Sequence, residues 1–313
     1  MQAAPFFDDI ALGPPGGRAM WRRAQDGVRL RIGHWPSGGD KGTILLFPGR
    51  TEFIEKYGAT ASKFAGAGYD TLAIDWRGQG LSDRALDDPM SGHVADFAEY
   101  QMDVAAMIAG AEALDLPRPW HLLGHSMGGC IGLRAACNGL PVTSCAFSAP
   151  MWGIAMKPAL RPLAWSLSWA SRPAGLGHLF SPGTLRGNYV LEAPFEANAL
   201  TRDREVYAHM RAQLRAYPQL ALGGPSLHWL FAALLECKRL ARLPSPPLPC
   251  LTCVGSKEAI VSRAPIEARM SRWPGARLET VDGGRHELLM DTPETRTRVT
   301  DMLLGFWAGA ARD

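Results

Sequence analysis

The stretch HLLGHSMGG, residues 121–129, decides the fold. Apolar residues lead straight into Ser126, which stands between Gly124 and Gly128, and small residues follow. Gly124-His125-Ser126-Met127-Gly128 fits G-x-S-x-G, with a strand-like run before it and a helix-like run after it. A turn that tight requires glycine, or something nearly as small, around the serine. It strains the serine backbone and holds the hydroxyl up for attack. The helix that begins just beyond it points amide dipoles at any negative charge that develops there. The plainer alternative is a strand-to-helix turn that merely tolerates small residues, and the pentapeptide alone does not dismiss it.

The rest of the chain weighs against that alternative. A nucleophilic serine needs a base, and the base needs an orienting acid. After such a turn the expected chain order is serine, acid, histidine. CVGSKEAIVS places Glu258 in a loop after one predicted strand. VDGGRHELLMD places His286 in a loop after the next, behind two glycines. Both loops fall at strand C-terminal ends, where parallel sheets carry their sites. The other histidines fit less well. His121 is inside a strand and His125 inside the turn. His178, His209 and His228 lie in a helical stretch, His34 on an exposed hairpin strand, and His93 at the start of a helix. Asp282 is the rival acid, close in sequence to His286. Two backbone amides are expected to form an oxyanion hole: Met127, just after the serine, and Arg50 in the loop PGRTE that follows the strand TILLF.

Working outward, strand-like and helix-like segments alternate. GVRLRIGHW reads as an exposed hairpin strand, and GTILLF, DTLAID, PWHLLGH and VTSCAFS as buried ones. IEKYGATASKFAGAGY, VADFAEYQMDVAAMIAGAEAL and MGGCIGLRAACNG have helical spacing. Short glycine-rich joints between them predict parallel βαβ units under two layers of helix. From about Met151 to Leu243, after the sixth strand or so, no strand pattern is convincing. Tryptophan, leucine and arginine recur at helical intervals with proline breaks. PCLTCVG and ARLETV then restore the strands, and TPETRTRVTDMLLGFWAG closes with a helix. The expected architecture is an α/β core over 1–150 and 244–313, with a helical cap inserted at 151–243.

Composition bounds the rest. With 313 residues, 47% of them hydrophobic, the chain can bury a large core. A formal charge of +3 and no dense lysine run give no reason to expect nucleic acid. The start, MQAAPFFDDIALGPPGG, does not read as a signal peptide, and no apolar run approaches the ~20 residues that span a bilayer. A cytoplasmic location is expected. Cys250 and Cys253 form a C-x-x-C, but on a strand residues three apart face opposite sides, so they read as buried structural thiols rather than a redox or metal pair. No metal and no organic cofactor are expected. Asp75-Trp76-Arg77-Gly78-Gln79-Gly80 reads as a structural loop, Glu52 as a loop brace, and Arg50 and Lys56 as solvated side chains.

Taken together, FPGRTEFIEKYG, DWRGQGLSD, GHVADFAEYQMDV, LLGHSMGG, VGSKEAIVS and GGRHEL resemble the α/β-hydrolase superfamily, in its lysophospholipase and monoacylglycerol lipase branch, which also includes sequences called serine aminopeptidases. The resemblance covers essentially the whole chain. It implies the α/β-hydrolase fold, with a mostly parallel central sheet, flanking helices and an inserted cap that shapes the acyl pocket. It also implies an acyl-enzyme mechanism on single-chain lipid esters, a lysophospholipid or a monoacylglycerol. The alternatives are a small-ester carboxylesterase, an aminopeptidase that would use Glu192, Glu196, Asp203 or Glu205 to seat an amine, and a non-catalytic binding protein on the same fold. A transient membrane-surface contact through the cap is a further expectation. Two positions depart from the family pattern. Pro48-Gly49 stands where His-Gly is usual, with a cis prolyl bond as one way to hold the loop, and Glu258 stands where Asp is common.

Overall fold

The computed structural model describes residues 2–184 and 186–310. Nine strands form one sheet: β1 (Gln2–Ala4), β2 (Arg18–Arg23), β3 (Arg29–Trp35), β4 (Thr43–Phe47), β5 (Asp70–Asp75), β6 (Trp120–His125), β7 (Ser144–Ser148), β8 (Cys250–Gly255) and β9 (Arg277–Val281). Their order is β1-β2-β3-β5-β4-β6-β7-β8-β9. From β5 across to β9 every pair is parallel, while β1, β2 and β3 add on antiparallel beside β5. The helices are α1 (Asp8–Ala11), α2 (Gly58–Gly66), α3 (Glu99–Ala113), α4 (Met127–Cys137), α5 (Arg161–Ala170), α6 (Tyr189–Glu192), α7 (Arg204–Ala216), α8 (Leu227–Leu240), α9 (Arg263–Met270) and α10 (Pro293–Ala310).

The buried strands are apolar on both faces because helices cover both. Ile44 and Leu46 of β4 pack with Leu123, Ala146, Leu251 and Cys253 under Phe64 of α2 and Trp307 of α10. Leu45 and Phe47 pack with Leu122, Cys145, Phe147 and Cys250 under Met107 of α3 and Ile131 of α4. Each fully buried leucine or phenylalanine contributes about 1.5–3 kcal/mol. Cys250 and Cys253 therefore point to opposite layers, and both are free thiols.

Between β7 and β8 the chain forms α5, α6, α7 and α8, with no strand among the described residues. Side chains cap three of these helices. Asn188 accepts from the amides of Val190 and Leu191. Asp203 accepts from the amides of Glu205 and Val206, and Ser226 accepts from the amide of Trp229. The insert follows the seventh strand rather than the sixth or so: β1 and β2 precede the five strands that the pattern marks.

Three other expectations change. β3 is not exposed. It lies between β2 and β5, and its alternating arginine is internal: Arg31 is fully buried, 2.7 Å from both Glu55 and Asp75. His34 is buried too, bound to Asp70 at 2.9 Å. The helix expected from Val94 starts at Glu99, whose carboxylate accepts from the amides of Ala95 and Asp96 and holds the preceding turn out of the helix. His93 thus sits in a loop, against Ser226.

Candidate active site

β6 delivers Ser126 at its C-terminal end. Ser126 has φ 50° and ψ −117°, a strained conformation for a residue with a side chain. Glycine is required on both sides. A Cβ on Gly128 would strike the Phe47 carbonyl, and one on Gly124 would lie 2.9 Å from the Gly128 carbonyl. Met127 then opens α4.

The loops after β8 and β9 bring in the two other expected groups. His286 Nε2 lies 2.9 Å from Ser126 Oγ, and His286 Nδ1 lies 2.8 Å from Glu258 Oε2. With Nδ1–H donating to the carboxylate, Nε2 is left to accept the serine O–H. The Glu258 side chain is fully buried. Its other oxygen accepts from the amides of Ile260 at 2.6 Å and Val261 at 3.1 Å. The glutamate folds back onto its own loop, and that absorbs the methylene it has beyond aspartate. Burial raises its pKa, but the hydrogen bond and charge of His286 and the two amides outweigh burial and hold it below the ordinary carboxylate value. Asp282 meets Ser256 at 3.2 Å instead of the histidine.

The loop after β4 lies against the serine. Its Gly49 amide donates to Glu52, and its Thr51 amide donates to Gln79 Oε1 at 3.0 Å. Arg50, between them, has an amide with no acceptor among the described residues. Met127, at the first helical position, has no partner within its helix either. The Phe47–Pro48 bond is not cis; among the described residues the cis peptide is Arg118–Pro119. Trp76 Nε1 and Gln79 Nε2 hold this loop instead, at the carbonyls of Pro48 and Gly49.

Arg50 and Lys56 are not solvated. The Arg50 guanidinium donates to the carbonyls of Gly223 at 2.9 Å and Gly224 at 2.7 Å, and it lies 5.0 Å from the Trp229 ring centre. Burial lowers its pKa to about 10. Lys56 Nζ sits 2.6 Å from Glu52 and 2.7 Å from Glu287. Burial pulls its pKa down, and the two carboxylates outweigh that and raise it to about 12. Tyr57 donates to Glu52 at 2.5 Å, and His125 Nε2 lies 3.4 Å from Glu287 and 3.6 Å from Glu52. Glu52, His125 and Glu287 together have the composition of a metal site. The Lys56 ammonium already supplies their cation.

This buried cluster ties the Gly49 loop, the serine turn and the histidine loop together. The sequence reading reached Glu52 as a brace but passed over Glu287. Its position beside His286 was the one signal available.

Above Ser126 and His286 opens a cavity of about 820 Å³. Its lining includes Met151, Leu160, Leu163, Leu167, Leu227 and Trp229, all from the stretch between β7 and β8. The floor thus holds a hydrogen-bonded Ser126–His286–Glu258 chain beside the amides of Arg50 and Met127, which have no acceptor among the described residues. The walls are mostly apolar, with Lys157, Thr184 and Gln213 among them.

Known proteins resemble this chain in sequence and in fold. A family model described as serine aminopeptidase, S33, matches residues 38–293. The chain is 30% identical over 299 residues to the probable lysophospholipase L2 of Haemophilus influenzae, covering 94% of this chain and 91% of that protein. It is 30% identical over 301 residues to lysophospholipase L2 of Escherichia coli K12, covering 90% of this chain and 83% of that protein. A soluble variant of monoglyceride lipase from Saccharomyces cerevisiae, solved with a substrate analogue, superimposes with a TM-score of 0.72 at 19% identity. That match covers 92% of this chain and 94% of the other, so the fold is shared. No helix among the described residues is long and apolar enough to cross a membrane. The family model spans most of the chain and both halves of the sheet, and the chain belongs to the serine aminopeptidase S33 family of α/β-hydrolase fold.

Proposed function

We propose that the protein is a serine-dependent carboxylic ester hydrolase acting on single-chain lipid esters, a lysophospholipid or a monoacylglycerol. The observation that carries this reading is the Ser126–His286–Glu258 chain at the floor of a large apolar cavity. Ser126 Oγ attacks the ester carbonyl carbon while His286 Nε2 takes its proton. The amides of Arg50 and Met127 receive the oxyanion, and Glu258 stabilises the imidazolium. Collapse of the tetrahedral intermediate breaks the ester C–O bond, and His286 returns the proton to the leaving alcohol. Water then attacks the acyl-enzyme by the same route and releases the fatty acid.

The helical stretch 151–243 acts in this reading as the cap that receives the acyl chain. The names of the L2 relatives, at 30% identity over most of the chain, favour a lysophospholipid. An aminopeptidase would need an acid in the cavity to seat the substrate amine. Glu192, Glu196, Asp203 and Glu205 all lie off its lining, Asp203 is engaged as the α7 cap, and the glutamates that do line it, Glu52 and Glu287, are both paired with Lys56. Six free cysteines suit a reducing compartment, consistent with the cytoplasm, and the cap makes transient contact with a membrane surface.

The test is kcat/KM over p-nitrophenyl esters from acetate to laurate below micelle-forming concentrations. A lysophospholipid and a monoacylglycerol of one chain length complete the set. Burial is worth about 0.8 kcal/mol per methylene, so four more carbons held to the transition state should raise kcat/KM about a hundredfold. A flat profile, or a maximum at acetate, would overturn the lipid reading and leave a small-ester esterase.

A further inference from the structure

The stretch between β7 and β8 meets the core at residues 222–226, just before α8 carries Trp229 and Leu230 into the cavity wall. Three contacts seat this segment on the loop 90–93. The Gly223 amide donates to the Met90 carbonyl at 2.9 Å, Pro225 bridges to Gly92, and Ser226 Oγ lies 3.1 Å from His93 Nδ1. The fourth contact comes from elsewhere. The Arg50 guanidinium holds the carbonyls of Gly223 and Gly224 at once, and Arg50 belongs to the loop beside Ser126.

A buried cation is costly unless an opposite charge or directed hydrogen bonds offset its lost hydration. Arg50 has no carboxylate partner among the described residues, and its Nε is buried without an acceptor. Binding an anion is the first use such a cation suggests. Here the fork is already turned onto two backbone carbonyls, and the buried Nε offers a ligand no surface. Two successive carbonyls do suit a planar fork, which arginine alone among side chains provides.

The rest of the loop is fixed by the core. Trp76 and Gln79 hold the carbonyls of Pro48 and Gly49, while Glu52 and Gln79 take the amides of Gly49 and Thr51. A Cβ on Gly49 would lie 3.1 Å from Ser126 Cβ, so the loop has no slack toward the serine. Thr51 has φ 66°, a left-handed conformation that persists only where its surroundings impose it. Arg50 stands between these two residues. Its amide has no acceptor, and its side chain is the one in this loop that reaches the insert's returning segment.

We propose that Arg50 is a positioning residue: its guanidinium, by gripping the carbonyls of Gly223 and Gly224, aims its own backbone amide at the oxyanion, so the oxyanion hole is complete only while the insert is seated on the core. This role rests on the ester-hydrolase reading above and is independent of the lipid substrate.

The test compares wild type, Arg50→Met, Arg50→Lys and Gly92→Ala on p-nitrophenyl acetate and butyrate, with a melting temperature for each. Arg50→Met should lower kcat about a hundredfold with little change in KM, alike on both esters. Arg50→Lys keeps the charge without the fork and should recover part of the loss, leaving kcat about tenfold down. Gly92→Ala leaves Arg50 in place. Its Cβ would lie 3.0 Å from Arg50 Nη2 and 2.8 Å from Leu222 Cδ2, so it should push the fork aside and lower kcat in the same way. Affinity for a trifluoromethyl ketone, whose adduct with the serine carries an oxyanion, should fall in proportion to kcat/KM across the set. Should Arg50→Met not fold, Arg50→Lys and Gly92→Ala carry the same comparison. Wild-type kcat in folded Arg50 variants, with only the melting temperature lowered, overturns the proposal and leaves a packing role. A KM raised on a lysophospholipid, with kcat on the acetate ester unchanged, overturns it in favour of substrate binding. A wild-type chain that hydrolyses no ester and takes up no fluorophosphonate removes the hydrolase reading, and this role with it.

Discussion

The floor and the roof of the cavity are built by opposite means. The floor, at the C-terminal ends of β4, β6, β8 and β9, is crowded with charged and polar groups whose partners are named atoms at 2.5–3.6 Å. The roof, from α5 and its neighbours, is leucine, methionine and tryptophan with cations that lack carboxylates. Proton transfer depends on distance and angle, so the floor is held by directional bonds. In the proposed function an acyl chain asks for area rather than angle, and non-directional apolar contact would supply it. Changes to the floor should therefore lower turnover alike for every acyl length. Changes to the roof should alter the dependence on acyl length.

The largest effect belongs to Ser126→Ala. It removes the proposed nucleophile and relieves the strained φ only slightly, so the fold should survive. We expect kcat to fall by about 10⁴-fold or more on acetate and laurate esters equally. Labelling by a fluorophosphonate probe should disappear with it. Appreciable turnover in the purified variant would remove Ser126 from its role. A wild-type chain that takes up no probe would mark a binding protein on a hydrolase fold.

Glu258→Gln comes next. The amide keeps the side chain's shape and its bond to Ile260, but loses the charge that supports the imidazolium and the histidine tautomer. A fall in kcat of about 10³-fold with little change in KM is expected, again independent of chain length. Asp282→Asn serves as the control. Its carboxylate meets Ser256, so activity should stay near wild type. The reverse result would assign the acid to Asp282.

The contrast between floor and roof also separates what could be read from the sequence. The serine turn was legible because its constraints are local: glycines two residues away on each side and a helix start. Glu258 and His286 were legible from their places at successive strand ends. Partners far away in sequence were not. Lys56 looked solvated because Glu287 lies 231 residues on, and Arg31 looked like a surface residue because Glu55 and Asp75 are 24 and 44 residues away. The insert was legible as helical from its spacing, but its exposed leucines could not be told from core. Helical periodicity marks an apolar face without saying what covers it. α9 escaped because it is short, polar and carries Pro265 in its first turn.

The smallest effect tests whether the floor's polar cluster is as tightly matched as its distances imply. Glu52 and Glu287 face Lys56 and His125, so the four groups balance when His125 is protonated. Burial opposes that charge, but Glu287 and Glu52 outweigh burial and raise the His125 pKa above its ordinary 6.5. A folded-state value above the unfolded one adds stability that is complete below the unfolded value and fades as pH rises through the folded one. Glu287 works in the other direction. Burial would raise its pKa, yet Lys56 and His125 hold it well below 4.5, so its contribution stands above that value and fades only in stronger acid. The cluster should be most stable between these limits. As pH rises from the ordinary histidine value through the raised one, the melting temperature should fall on account of His125. His125→Gln should lower the melting temperature and flatten that slope. Lys56→Met should also destabilise the protein, but it removes a like charge that faces His125, so the alkaline fall should move to higher pH. An unchanged slope in His125→Gln would mean that the histidine is neutral in the folded protein, and the floor would then hold an excess of negative charge beneath the serine.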